Sequence, residues 1–298
     1  GYPSEFEAAY KFSRKLVNSG FVETSCPFSV TPGNHDLCWP LYLSSRLRID
    51  PPPKHGDDRS QDMDLKKWIV DDVDQVCELK RFGFAPFHEF FTRLVDEPLP
   101  MDGYRLLTHW VNHGFAVLEL PLESHFVLSR DDPLQVPQPL VSKIDFEKIT
   151  EKAIESVREA RLDPSVCVIV LIHGRVPAHA ASNATRWKQL VSQISRVGNS
   201  MIILGGHEHV NDHVVDNSRL MIIGSPLDQS KVEGGLSLPG VGFITLSRTA
   251  DGNLQCKVTK LEKSVGDSNV VSWEAKSPRV FEVLPQNGHW TDLTKAKS

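Results

Sequence analysis

Three short segments of the chain carry side chains that commonly bind metal ions. They are Asn34-His35-Asp36, His173, and the pair His207 and His209. Each segment directly follows a run of apolar residues that predicts a buried strand. Because ligands of open α/β sheets bind where the strands end, we expect these side chains to meet in one cleft. Imidazole suits zinc, iron and manganese, so the segments predict a transition-metal site.

The last segment has a spacing that favours a shared ligand role. Residues i and i+2 of an extended segment point to the same side, so His207 and His209 can both face one cleft. Gly205 and Gly206 precede them and allow the backbone to turn tightly and to approach an ion. Taken alone, each histidine is also explained as a polar loop residue. The ordered set of three segments favours metal ligands.

Together, the three segments resemble the motifs of calcineurin-like metallophosphoesterases. Gly33-Asn34-His35-Asp36 matches the G-N-H-D motif of that family, and Gly206-His207-Glu208-His209 is similar to its G-H-x-H motif. His173 lies between them in the chain, where the family has its single metal-binding histidine. The resemblance extends over roughly residues 1 to 260, apart from one insertion.

The resemblance implies an α/β fold, a four-layer α/β/β/α sandwich, with a centre of two divalent ions that are manganese, iron or zinc. Asn34, His173 and His207 would hold one ion, and His209 would help to hold the other. The implied function is hydrolysis of a phosphoester, of the phosphodiesterase or nucleotide hydrolase type. A metal-bound hydroxide would attack phosphorus in line with the leaving group.

The resemblance also implies catalytic roles for the two remaining residues of the first motif. His35 would not bind metal. It would stabilise the charge that develops in the transition state or protonate the leaving oxygen. Asp36 would orient His35.

The chain departs from the family pattern because two early motifs are absent. No Asp-x-His occurs anywhere, and Gly56-Asp57-Asp58-Arg59-Ser60 does not complete the family's G-D-x-x-D/N motif. We expect the missing motifs to lie immediately before Gly1, and the fold to be incomplete at its amino end. This chain should then hold at most one ion well and hydrolyse phosphoesters poorly. The alternative is a catalytically degenerate module of the same fold that serves partner binding or regulation.

Apolar runs predict the strands that position these residues, and one-sided apolar patterns predict the helices. The expected strands are 28–30, 115–120, 166–172 and 201–204, and the expected helices are 4–18, 87–95, 145–161 and 185–197. Ser4 with Glu7 has the spacing of a capping box, and Asp145 is expected to cap its helix. From Val214 onward, turn residues at 217–218 and 251–253 indicate antiparallel hairpins.

The rhythm of strands and helices also predicts the domain organisation. Residues 1–36 and 109–262 are expected to form the metallophosphoesterase core, and residues 263–298 a C-terminal extension that follows the surface. Residues 37–108 are expected to form a mainly helical insertion that covers the edge of the cleft, because Pro51-Pro52-Pro53 and an acidic stretch interrupt the strand–helix alternation.

Composition limits the expected partners and compartment. The net charge is −5, which does not favour a broad electrostatic grip on nucleic acid. The five cysteines form no C-x-x-C pair, which indicates a reducing compartment and predicts a cytoplasmic protein. No apolar run reaches the roughly 18 residues of a membrane helix. The expected partner is a phosphoester, a small molecule or nucleotide in preference to nucleic acid, without a membrane; the sequence indicates no oligomeric state.

Several other polar residues have more than one interpretation. His213 can be an extra ligand, but its place on a departing strand favours a structural role. His109 and His113 have helical i, i+4 spacing that can bind metal, and the absence of a glutamate between them favours an ordinary helix face. Ser124 and His125 can line the cleft or form a polar loop, and both interpretations stay open.

Overall fold

The computed structural model confirms the mixed α/β content that the sequence predicts. In the part of the chain that it describes, it contains three α-helices, two larger β-sheets and a two-stranded ribbon. The described residues are 2–20, 28–31, 36, 38, 84–98, 104–120, 143–172, 199–205, 213–216, 219–223, 230–232, 235–237, 240–265, 271–283 and 290–294. The chain divides into two compact units, Gly1–Tyr104 with Pro121–Ile149, and Arg105–Leu120 with Thr150–Ser298. The domain boundaries expected from the sequence stay predictions.

The first unit has a core of phenylalanine side chains between two helices. Helix α1 spans Pro3–Asn18 and helix α2 spans Ala85–Val95, so both helices predicted here are confirmed. Phe6 of α1 packs against Phe87 and Phe90 of α2, with ring centroids 5.9 Å and 5.5 Å apart. These aromatic contacts, and not the intrinsic helix propensity of either segment, are what fix the two helices together.

The start of α1 differs from the sequence prediction. The Tyr2 amide donates to the Glu5 carboxylate at 2.8 Å, and Ser4 lies inside the first turn. Glu7 instead accepts a hydrogen bond of 2.7 Å from Arg93 of α2. The strand predicted at 28–30 is also wrong, because residues 28–31 have no strand structure. A three-residue segment with only two apolar side chains, Phe28 and Val30, is too short to separate a strand from irregular chain.

The second unit contains a six-stranded sheet, here called the first sheet, with strand order β1-β2-β3-β4-β6-β5. Strands β2, β3, β4 and β6 are mutually parallel, and β1 and β5 are antiparallel edge strands. The expected strands at 115–120, 166–172 and 201–204 are thereby confirmed. The bounds are β1 Arg105–Leu107, β2 Phe115–Glu119, β3 Cys167–Leu171, β4 Met201–Gly205, β5 His213–Asp216 and β6 Arg219–Ile223.

Two helical segments adjoin these strands in the chain. A single 3-10 turn, Val111–His113, connects β1 to β2, and helix α3 spans Lys143–Glu159 before β3. Ala153, Ile154 and Val157 of α3 are buried, as the predicted apolar face requires. Asp145 lies within α3, so it does not cap the helix.

The second sheet is antiparallel and is organised around the long strand β10. Strand β9 pairs with β10 along one side, and β12 and β11 pair with successive halves of its other side. Gly252 has a φ of 80° in the turn between β9 and β10, which confirms the predicted hairpin and explains glycine there. The bounds are β9 Gly240–Arg248, β10 Leu254–Val265, β11 Val271–Ala275, β12 Arg279–Val283 and β13 Trp290–Asp292; β7 Ser230–Val232 and β8 Gly235–Ser237 form the ribbon.

Two expectations for the last third of the chain need correction. Strand β6 forms an antiparallel hairpin with β5, as predicted, but its other side pairs in parallel with β4. The tail after Val265 does not follow the surface as an unpaired chain, because β11, β12 and β13 extend the second sheet. In both cases the pairing partner is distant in sequence, and a local pattern does not reveal it.

The two sheets pack face to face in the second unit. Alternate residues of each strand point into this shared core, as the period of two in a strand requires. The first sheet contributes Val117, Cys167, Ile169, Ile202, Leu220 and Ile222, and the second contributes Leu254, Cys256, Val258, Phe281, Val283 and Trp290. The face of each sheet that lines this core is called the inner face below.

Candidate functional site

The parallel strands of the first sheet all end at one edge, which we call the carboxyl edge. In strand register, Leu171 of β3 is level with Leu204 of β4, and Leu204 is level with Ile222 of β6. The pairing continues to the last described residues, since the Leu120 amide donates to Leu171 at 2.9 Å and the Ile172 amide donates to Leu204 at 3.0 Å. The loops that follow β2, β3 and β4 therefore begin side by side.

These loops contain the predicted histidine ligands. His173 is the residue after Ile172, and His207 is two residues after Gly205, the last residue of β4. Strands β3 and β4 are hydrogen-bonded parallel neighbours, so the chain enters both histidine segments from one edge of one sheet. The first four residues of β3 and the first three of β4 are buried, which holds both strands firmly in the sheet.

Most of the predicted site residues lie outside the described residues. These are Asn34, His35, His173, His207 and His209. Asp36 is described: it is half-buried and lies at a 3-10 position in the first unit. The roles assigned to these residues, and their expected convergence, stay predictions.

Within the described ranges, no three His, Cys, Asp or Glu side chains are grouped as ligands for an ion. The four predicted ligands lie outside those ranges, so the metal prediction is not tested by this observation. His213 begins β5 opposite Ile222 in register. His109 lies just before the 3-10 turn, His113 is the last residue of that turn, and both are exposed. Ser124 and His125 lie outside the described residues.

A buried ion pair lies at the carboxyl edge, and sequence reasoning missed it. Arg105 of β1 is directly opposite Glu119, the last residue of β2, on the inner face of the sheet. Two hydrogen bonds of 2.7 Å and 2.9 Å join the guanidinium to the carboxylate, and Glu119 is only 2% exposed. Glu119 is level with Leu171, two residues before His173. The available signal was a charged residue within the apolar run 115–120.

The two cysteines in the core between the sheets are not candidates for catalysis. Cys167 of β3 and Cys256 of β10 both lie in the core between the sheets. Burial raises the pKa of the Cys256 thiol to about 12. Burial also raises the pKa of the Cys167 thiol, with a smaller contribution from Cys256. Because only the thiolate is a good nucleophile or metal ligand, both thiols are chemically inert in the folded protein.

The opposite edge of the first sheet is built for stability. The buried Asn199 side chain donates to the Asp163 carbonyl at 2.8 Å and to the Val166 carbonyl at 2.9 Å, which joins the start of β4 to the loop before β3. Arg248 of β9 donates to the Ser165 carbonyl and so joins the second sheet to the same loop. The Ser165 hydroxyl and amide lower the pKa of Asp163, which caps this loop.

Comparison with known proteins does not identify the chain. No family model matches it, and no curated protein matches it. No helix of the described part of the chain is long and apolar enough to cross a membrane.

Proposed function

We propose that this protein hydrolyses a phosphoester with the help of divalent metal ions, as a calcineurin-like metallophosphoesterase. The observation that carries the proposal is the parallel pairing of β3 with β4. Two histidine segments that resemble the family's metal-binding motifs each follow one of these neighbouring strands at the same edge of the sheet. Sequence motifs that match by chance have no reason to begin at adjacent strand ends.

The arrangement of layers in the second unit supports the proposed sandwich fold. A mainly parallel sheet packs through its inner face on an antiparallel sheet, and both contribute to one hydrophobic core. This is the β/β centre that an α/β/β/α sandwich requires. The final strands β9 to β13 also come after the last histidine segment, in the order that the resemblance implies.

The donor set fits a transition metal. His173, His207 and His209 offer imidazole nitrogen, and Asn34 offers an amide oxygen, which together suit manganese, iron or zinc. We assign Asn34, His173 and His207 to one ion and His209 to a second. Bound ions would polarise the phosphoryl oxygens and so stabilise the charge of the transition state. The chain has no Asp-x-His motif, so we expect one ion to be held well.

Two further residues are assigned to proton transfer and charge stabilisation. When water replaces the leaving alcohol on phosphorus, the leaving oxygen gains negative charge. We assign His35 to donate a proton to that oxygen or to stabilise this charge through its imidazole N–H. Asp36 is assigned to accept a hydrogen bond from the other ring nitrogen of His35, which would fix the orientation of the ring.

Metal binding tests the ligand assignment directly. The purified chain should bind about one manganese ion, and its melting temperature should rise with manganese concentration by mass action. His173→Ala and His207→Ala should each weaken manganese binding at least about tenfold. Even the loss of a residue that only hydrogen-bonds to a metal ligand lowers metal affinity by about that factor. His113→Ala, which removes an exposed histidine near β2, is the matched control and should bind as the unchanged protein does.

Activity is then measured in the full-length protein with bis-p-nitrophenyl phosphate and added manganese. Hydrolysis that depends on manganese and is lost in His207→Ala supports the proposal. If His173→Ala and His207→Ala bind manganese as tightly as the unchanged protein, the ligand assignment is wrong. If the full-length protein binds metal but hydrolyses no member of a broad phosphoester panel, a degenerate partner-binding module is the better explanation.

A further inference from the structure

A small cavity that is open to solvent lies on the inner face of the second sheet, beside Ile222 of the first sheet. Its volume is about 140 Å³. The apolar part of its lining comes from Ile222 of β6, Val258 of β10 and Phe281 of β12. The polar part comes from Lys260, Glu262, Lys276, Ser277 and Arg279. Three of these polar groups are cations, namely Lys260, Lys276 and Arg279, and the last two are exposed.

Strand β10 extends beyond the apolar core and carries Lys260 to the cavity. Leu254, Cys256 and Val258 point from β10 into the core, and the same alternation directs Lys260 and Glu262 to the inner face farther along the strand. The Lys276 amide donates to the Lys260 carbonyl at 2.8 Å, which fixes these two residues side by side. The inner face of β10 therefore changes from apolar to charged where the cavity lies.

Carboxylates lie near two of these cations. Lys276 Nζ is 3.3 Å from Glu274 and 3.5 Å from Glu262, and 46% of its side chain is exposed. Arg279 is 3.8 Å from Asp292. Hydrogen bonds to Glu274 and Glu262 raise the pKa of Lys276, which keeps it cationic. The ion pairs of Lys276 are exposed and contribute little, so an entering anion loses little by sharing this cation.

The volume of the cavity limits what it can hold. Whole ligands usually occupy pockets of about 300–1,000 Å³, whereas a water molecule takes about 30 Å³. A cavity of about 140 Å³ therefore suits one anionic group, such as a phosphate or carboxylate, and not a complete substrate. The rest of such a ligand has to lie outside the cavity.

The cavity is also close to the carboxyl edge. Ile222 of its lining is level with Leu204 on the adjacent strand β4, and neighbouring strands are about 4.8 Å apart. Strand β4 leads directly to the G-H-x-H segment that begins at Gly206. A substrate that reacts at this edge can reach the cavity with a second group.

We propose that this cavity binds a second anionic group of the substrate, so that the protein prefers phosphoesters that carry an additional phosphate or carboxylate. Lys260 and Lys276 supply the charge, and the Ser277 hydroxyl can donate a hydrogen bond. The anion site stands on the cavity itself, whereas its use by a substrate rests on the proposed phosphoesterase function.

Anion binding is tested without the metal site. Inorganic phosphate is titrated into the chain in the presence of a metal chelator, and binding is followed by calorimetry. Lys260→Met and Lys276→Met should each weaken phosphate binding at least about fivefold, because each removes one charge-assisted contact. Lys257→Met is the matched control, since Lys257 lies on β10 but is exposed on the opposite face. Equal phosphate affinity in all four proteins would overturn the anion site, provided that their melting curves agree.

Substrate preference is tested in the full-length protein with two matched esters. Thymidine 5′-(p-nitrophenyl phosphate) is compared with the same compound carrying a 3′-phosphate. We expect a higher kcat/KM for the 3′-phosphorylated ester, through a lower KM. The ratio of the two kcat/KM values should fall by about tenfold in Lys260→Met. If the ratio of the two kcat/KM values is the same in the unchanged protein and in Lys260→Met, the substrate inference fails and the proposed function stands. If neither is hydrolysed while Lys260→Met still weakens phosphate binding, the proposed function fails and the anion site stands.

Discussion

Arg105 and Glu119 form a two-bond ion pair across the first two strands of the sheet, and only 10% and 2% of their side chains are exposed. Burial removes both groups from water, and the attraction between the two charges offsets part of the cost of that burial. The pair also occupies the carboxyl edge, level with the residue two positions before His173. It therefore connects the stability of the sheet to the place where we expect the metal site.

We predict that Glu119→Gln destabilises the protein by about 3 kcal/mol, because the buried Arg105 guanidinium loses the carboxylate to which it donates two hydrogen bonds. Arg105→Met combined with Glu119→Leu should cost less than the sum of the two single changes. Urea unfolding measures Glu119→Gln, the double variant and both of its single variants. Glu155→Gln removes an exposed ion pair with Arg158 and serves as the control, with little effect expected. A Glu119→Gln variant as stable as this control would contradict the prediction.

The buried thiols predict both a reactivity and a pH dependence. Cys167 and Cys256 should not react with a thiol reagent at pH 8 in the folded protein, and both should react after unfolding in urea. Peptide mass mapping separates them from the other cysteines. Labelling of either residue without unfolding would show that the core between the sheets opens.

The same burial makes the stability of the folded protein depend on pH. The raised pKa of Cys256, about 12, means that the unfolded chain loses its thiol proton first as the pH increases. The stabilising contribution is complete below about pH 9 and is lost as the pH rises toward 12. Cys256→Ala should lessen this loss of stability at high pH. The space left by the removed thiol should also lower stability at every pH.

We predict that loss of the Asn199 side chain lowers the stability of the protein without changing its metal binding. Asn199→Ala leaves the Asp163 and Val166 carbonyls without their donor, which should cost about 2 kcal/mol of stability. Metal binding should be unchanged in the fraction that is folded, because the residue lies at the edge opposite the histidine segments. Asn112→Ala, at an exposed position, is the control for urea unfolding. Loss of manganese affinity in folded Asn199→Ala would contradict the separation of the two edges.

Sequence patterns predicted the central strands well for a physical reason. Residues 166–172 and 201–204 are continuous apolar runs, and a strand buried on both faces of a parallel sheet has this composition. The polar motifs that follow them were visible because they interrupt such runs. The four predicted metal ligands nevertheless rest on motif order alone, since the described residues do not include them.

The features that were missed depend on contacts between distant parts of the chain. The parallel pairing of β6 with β4 and the addition of β12 to β10 join segments whose local patterns are those of short, ordinary strands. The Arg105–Glu119 ion pair depends on the register of β1 against β2, which the sequence does not reveal. The cations at the cavity likewise became a group only when β10 brought Lys260 beside Lys276.

The role proposed for His35 can be separated from metal binding. In the full-length protein, His35→Ala should lower kcat on bis-p-nitrophenyl phosphate by about 100-fold or more while metal content stays the same, because its assigned role is proton transfer or charge stabilisation. If His35 protonates the leaving oxygen, the loss should be larger for a methyl ester than for the p-nitrophenyl ester, whose leaving group needs less protonation. An equal loss on both esters would favour charge stabilisation. His113→Ala controls for the removal of an exposed histidine. A fall in metal content that matches the fall in activity would make His35 a ligand, and the assignment of the whole G-N-H-D segment would then be wrong.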